Sequence, residues 1–238
     1  MRRVIAQSRL ELTLTIRRGE SLLVAIIIPV GILAFFSTVD VLPHDGRAID
    51  FLTPGVLALA VISSAMTNLS IATGFERQTG VLRRLGTTPL GRSGLLVAKT
   101  VTLIALVVLQ VAVVVGAAFA LGWSPRGGAF ASALALALGT AAFAGLGFLL
   151  AGRLRAETNL AVANGLFLVF LLLGGIVVPL SRLPDGIANL ARVLPAEPLA
   201  TALRSALADA SFDVGSVAVL AVWAVVTCSL AALTFRWD

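Results

Sequence analysis

The chain contains no tyrosine, one cysteine and one histidine, and only 13% of its residues are charged, against about 25% in an ordinary soluble domain. Each scarcity removes a kind of chemistry. A single thiol, Cys228, excludes an intrachain disulfide, and its position inside the last apolar stretch makes it a packing residue. His44 stands between Pro43 and Asp45 with no second histidine or nearby cysteine, so the roughly four ligands of a zinc site cannot be assembled around it. A phosphate-cradling G-x-x-x-x-G-K-[ST] is missing; the nearest approach, SGLLVAKT at 93–100, has Ser93 and Ala98 where glycines belong. The long apolar stretches hold no His, Asp or Lys to serve as a base, which argues against an intramembrane enzyme.

What the chain has instead is apolar length. Mean hydropathy is +1.02, and six blocks carry no charge at all: 21–39, 51–75, 100–125, 127–152, 158–181 and 214–235. Each matches the roughly 20 apolar residues that cross a bilayer core, so the pattern predicts an all-α membrane protein of about six transmembrane helices. A barrel would need alternating polar residues that these blocks lack. The first block is too long for the core of a cleaved signal peptide, about 7–15 residues, and is expected to remain as a span. All twelve acidic residues lie outside the blocks, whereas proton- or sodium-driven carriers usually hold a carboxylate at mid-membrane.

The net charge of +6 would suggest nucleic acid in a soluble protein. Its distribution gives a different explanation. Thirteen of the eighteen Lys and Arg fall in the N-terminal tail, the 76–99 and 153–157 loops and the C-terminal end; five fall in the alternate loops. That bias obeys the positive-inside rule with both termini cytoplasmic, and leaves no basic surface needing nucleic acid to explain it.

The chain reads as one membrane domain, 1–238, without repeats. Residues 1–20 set five arginines among Leu10, Leu12, Leu14 and Ile16; the alternation is a strand period, and the pattern alone predicts no helix. Such a tail is expected at the anionic membrane surface. In 182–213, Ile187, Leu190, Ala191 and Leu194 recur at helical spacing, Pro195 interrupts, and Leu199, Leu203 and Leu207 follow. This predicts two short amphipathic helices at or dipping into the outer interface. Just before them, LLLGGIVVPL places Gly174, Gly175 and Pro179 where they would loosen the helix end.

Between the second and third blocks lies a charged island, GFERQTGVLRRLGTTPLGRSG (74–94). Wound as one helix, residues 74–86 gather Phe75, Gln78, Val81, Leu82 and Leu85 on one arc, with Glu76, Arg77, Gly80, Arg83 and Arg84 opposite. Two readings stand: a helix resting on anionic headgroups, or a surface for a protein partner, which Glu76 favours because both signs of charge can then be paired. Lys99 is expected as a cation snorkelling to the inner interface. Ser63, Ser64, Thr67 and Asn68, clustered in the second block, either bond between helices or line a path.

The segment ERQTGVLRRLGTTPLGR resembles the signature of ABC-2 type exporter permeases, and GGIVVPLSRLP, followed by Pro195 and Arg204, resembles that family's outer segment before its last span. The likeness in order and spacing covers nearly the whole chain. It implies a permease subunit that is not itself an enzyme and binds no cofactor. Residues 75–90 would form a coupling helix meeting a separate ATPase, which holds the ATP and Mg, through Glu76, Arg77, Gly80, Leu82, Arg83 and Arg84. Gly174, Gly175 and Pro179 would belong to an outer gate. The family also implies a helical N-terminal elbow, pairing with a second or sister permease, and a place among the lipids of a bacterial plasma membrane. Pro198 departs from it, standing where many relatives carry an aromatic residue. The absence of tyrosine and 6% aromatic content offer little for sugars to stack on, which favours a small hydrophobic drug, antibiotic or lipid as cargo over a polysaccharide or lipid-linked glycan.

Overall fold

A computed structural model describes residues 2–17, 19–38, 47–86, 91–176 and 180–235. His44 and Pro179 lie outside them, as do residues 87–90 of the island. The described residues form no strand. The helices are α1 (Arg2–Arg17), α2 (Gly19–Thr38), α3 (Ala48–Ile62), α4 (Leu69–Gln78), α5 (Val81–Gly86), α6 (Gly91–Ala120), α7 (Ala129–Arg153), α8 (Ala156–Leu173), α9 (Asp185–Val193), α10 (Ala196–Leu207) and α11 (Val214–Thr234). A π-helical turn, Ser63–Asn68, joins α3 to α4 without a break, and a short 3-10 turn covers Leu180–Arg182.

Among the described residues, five helices are long and apolar enough to cross a membrane: Ala48–Gln78, Gly94–Ala120, Ala129–Arg153, Ala156–Leu173 and Val214–Thr234. The first predicted block corresponds to α2, which contributes the shorter apolar stretch Ile26–Thr38. The 31-residue helix Ala48–Gln78 forms the centre of the bundle. At about 1.5 Å per residue it spans about 46 Å, longer than the roughly 30 Å hydrocarbon core, so its charged end projects beyond the apolar layer.

Small residues let the neighbouring helices close on this rod. A Cβ added to Gly147 of α7 would lie 2.8 Å from the Ala65 carbonyl oxygen and 3.1 Å from that of Met66, so α7 packs directly against the backbone of the π turn. The other side of α7 packs along α11, where the Thr227 hydroxyl donates to the Ala142 carbonyl at 3.0 Å and the Cys228 thiol to Ala141 at 3.4 Å. Contacts this close are the usual means of joining helices in lipid, where there is little hydrophobic drive to hold them.

Two features of the fold differ from what the sequence pattern implied. The N-terminal tail is a helix: α1 packs beside α6, with the Ser8 hydroxyl donating to the Ala98 carbonyl at 3.4 Å and the Thr102 hydroxyl to the Ser8 carbonyl at 3.4 Å. Leu10 is exposed and Leu12 half-buried, and the alternation of Leu10, Leu12, Leu14 and Ile16 gives the sequence no single helical stripe. At the far end α9 and α10 are separated at Leu194–Pro195, as the proline predicted. Only α9 stays superficial, exposing Ile187, Leu190 and Val193. Helix α10 enters the bundle and buries Leu199, Leu203 and Leu207 with Pro198.

The glycine pair ends α8, and the turn it forms is held by α10. The helix stops at Leu173, Gly175 adopts φ +62°, and its carbonyl accepts a 2.9 Å hydrogen bond from the Arg204 guanidinium of α10. A Cβ at Gly174 would lie 2.9 Å from that of Ala196. Arg204 also sits 4.2 Å from the centroid of the Phe51 ring, a cation–π contact that fixes α10 against α3. Nearby, burial pushes the Glu197 carboxyl above its usual range, although the Thr201 hydroxyl donates to it at 2.7 Å and Arg204 and Arg192 oppose the shift.

Candidate functional site

The charged island is two helices. Helix α4 carries on from the central rod to Gln78, where the Thr79 hydroxyl turns back onto the Phe75 carbonyl at 2.9 Å. Gly80 then takes φ +73°, a left-handed conformation costly to residues with a Cβ, and α5 begins with the Arg84 amide donating to the Gly80 carbonyl at 3.1 Å. This break replaces the single helix expected over 74–86. The predicted faces hold within α5, where Leu82 is buried and Arg83 and Arg84 are exposed, but not in α4, where Phe75 is exposed and Glu76 and Arg77 are half-buried.

Within α4, Glu76 and Arg77 are half-buried and turn toward the bundle, while Gln78 stays exposed. Glu76 forms an ion pair with Lys99 of α6 at 2.5 Å. The Arg77 guanidinium donates at 2.6 Å to the Leu154 carbonyl, just past the end of α7, where the helix leaves acceptors without internal partners. The Gln78 amide donates to Glu157 at the start of α8 at 2.8 Å. Three consecutive residues thus tie the end of the rod to three other helices or their ends. Lys99 is not a headgroup anchor: its side chain is 5% exposed and also lies 3.8 Å from Glu11 of α1. Burial raises the Glu11 carboxyl above its usual range, while Lys99 and the Gln7 amide draw it back.

Helix α5 is held to the bundle by Leu82, which is buried where the helix meets α4 and α6. Facing away are Arg83, Arg84 and Val81, together with Phe75 from α4. Of the six residues expected at a partner surface, Arg83 and Arg84 face outward. Glu76, Arg77 and Leu82 brace the segment from within, and Gly80 shapes the turn that presents it.

The hydroxyl and amide cluster of the second block also divides. A π turn holds one more residue than an α turn and so rotates the residues after it relative to those before. Ser64 is buried and bonds the Gln110 side chain of α6; Thr67 is buried as well. Asn68 remains exposed on the turn, and Ser63 is half-buried. Three amides that sequence reasoning passed over complete the picture. Gln110 is Ser64's partner, and Asn159 of α8 is fully buried with its amide donating to the Ser70 carbonyl at 2.7 Å. Asn164 is exposed further along α8 and donates to the Leu160 carbonyl at 2.9 Å. The available signal was their position inside charge-free blocks, where a carboxamide is costly unless paired. Among the described residues no cluster of His, Cys, Asp or Glu is suited to a metal ion.

The profile of the ABC-2 type transporter family matches residues 4–208. The chain belongs to that family. It is therefore the membrane component of an ABC transporter and a multi-pass membrane protein. The matched region runs from α1 to the end of α10 and includes both the island and the Arg204 contact. No curated protein matches the chain.

Proposed function

We propose that this ABC-2 type protein is the permease subunit of an ATP-driven exporter in a bacterial plasma membrane, with both termini cytoplasmic. It pairs with a second copy or a sister permease and is driven by a separate ATPase that binds ATP and Mg. The observation that carries this reading is the end of the central rod: residues 76–78 bind it to three neighbours, while α5 projects Arg83 and Arg84 with Phe75 and Val81. An apolar patch edged by two guanidiniums suits an interface whose core excludes water and whose rim pairs carboxylates. Movement imposed on α5 then reaches the whole bundle by way of α4.

The far end suits a gate whose pieces move together, because Arg204 links the Gly174–Gly175 turn to α10 and to Phe51. For the path itself, buried Ser64 and Thr67 give way to Asn68 and Asn164. Each exposes a carboxamide from a spanning helix, where lipid offers no hydrogen-bond partner. The cargo we favour is a small hydrophobic drug, antibiotic or lipid.

The test is to purify the tagged permease from its own membranes in mild detergent and identify any P-loop ATPase that accompanies it. The double variant Arg83→Glu/Arg84→Glu should still insert, yet retain that ATPase about tenfold less well or worse. Export by the purified permease alone, or undiminished ATPase retention by the double variant, would refute the proposal.

A further inference from the structure

The coupling reading assigns no part to α1, yet the N-terminal helix meets the end of the central rod through a buried ammonium. Lys99 emerges from α6 with its ammonium 2.5 Å from Glu76 of α4 and 3.8 Å from Glu11 of α1. At 5% exposure its side chain is shielded from the water and salt that weaken surface ion pairs. The two flanking hydroxyl contacts between α1 and α6 are both long, at 3.4 Å. Without the ammonium, the carboxylates of Glu11 and Glu76 would be left close together with no cation between them, and like charges in a poorly solvated place repel.

We propose that Lys99 is a positioning residue for coupling: it clasps α1 to the end of the central rod, so that α1 moves with α5 as part of the force-bearing assembly. The inference rests on the exporter reading, because only there does a push on α5 have meaning. Glu76 is the near half of the clasp, one turn before the Gly80 break, and Glu11 is the far half. A displacement of α5 that shifts Glu76 must either carry Lys99 and Glu11 with it or open a buried ion pair.

Two measurements on the purified complex in lipid nanodiscs test this. Hydrogen exchange of the α1 amides reads the clasp itself, and ATP hydrolysis reads coupling. In Lys99→Met, α1 exchange should rise about tenfold and the accompanying ATPase should remain bound but lose its permease-dependent stimulation. Lys99→Arg, which keeps the charge, should preserve both. If Lys99→Met does not fold, Glu11→Lys gives the second reading: it sets two ammonium groups against each other while leaving the Glu76 pair in place, and should loosen α1 in the same way. Unchanged α1 exchange in the variant that folds overturns the clasp. Loosened α1 with stimulation intact overturns its role in coupling but leaves the exporter reading standing. Failure of the wild-type permease to bring down any ATPase ends the exporter reading instead, and α1 exchange alone then decides the clasp.

Discussion

Substituting Gly80 by alanine isolates backbone geometry from packing. The residue adopts φ +73°, and a Cβ built there meets no atom within 4 Å. Steric overlap therefore contributes nothing, and the penalty is that of holding an L-residue left-handed, about 1–2 kcal/mol. That corresponds to a factor of about 5–30 in the equilibrium between the docked α5 and an open segment. Hydrogen exchange over residues 79–86 should rise by this factor in Gly80→Ala, with α7 and α11 unaffected. Gly80→Asn should fall between alanine and wild type, because asparagine tolerates the left-handed region better. Gly116→Ala is the control: that glycine lies within α6 and also meets nothing within 4 Å, but without a positive φ, so alanine should leave stability unchanged or raise it slightly. If Gly80→Ala matched Gly116→Ala in stability and exchange, the turn would not depend on glycine and our account of how α5 is presented would be wrong.

Other positions test the remaining contacts. Gly147→Ala should lower the thermal midpoint in nanodiscs, because its Cβ would press on the Ala65 carbonyl, 2.8 Å away; overpacking of this kind costs about 1–3 kcal/mol, and an unchanged midpoint would show that α7 does not sit against the π turn. Gln110→Leu removes Ser64's partner, and interhelical bonds of this sort average about 0.6 kcal/mol in membranes; a loss several times larger would mean that the pair does more than join α6 to the rod. The raised Glu197 carboxyl gives a sign for pH. The folded state binds that proton more readily than the unfolded chain, so the group's contribution is fully present at acid pH and is lost as pH climbs from the usual carboxylate range through the raised value. Stability measured across that window should fall with rising pH, and Glu197→Gln should flatten the slope; an identical slope in the variant would assign it to another group.

Much of the architecture could be read from where charge is missing. The block 51–75 lies inside the continuous helix Ala48–Gln78, and 127–152 falls almost wholly within α7, because charge is excluded from lipid whatever the tertiary arrangement. Pro195 separated α9 from α10 for an equally local reason. What escaped was set by distant partners. Glu76 looked available to another protein because Lys99 and Glu11, the groups that hold it, lie on helices from other parts of the chain. Arg77 turns inward toward Leu154, and Gln78 reaches Glu157 on the surface, for the same reason. The π turn has no compositional mark, so the clustering of Ser64, Thr67 and Asn68 gave no sign that the structure would bury the first two and expose the third. Helix α1 was hidden by coincidence: Leu10, Leu12, Leu14 and Ile16 alternate with polar residues, mimicking a strand.

The widened turn at Ser63–Asn68 divides the central rod into unequal arms, fifteen residues of α3 and ten of α4, or about 22 and 15 Å at 1.5 Å per residue. Were the rod to pivot there as a stiff unit, it would act as a lever with its fulcrum off centre. For equal swings of the two arms, the Ala48 tip would travel about one and a half times as far as the tip at Gln78, so on the proposed function a small stroke at the charged end would be amplified at the opposite face.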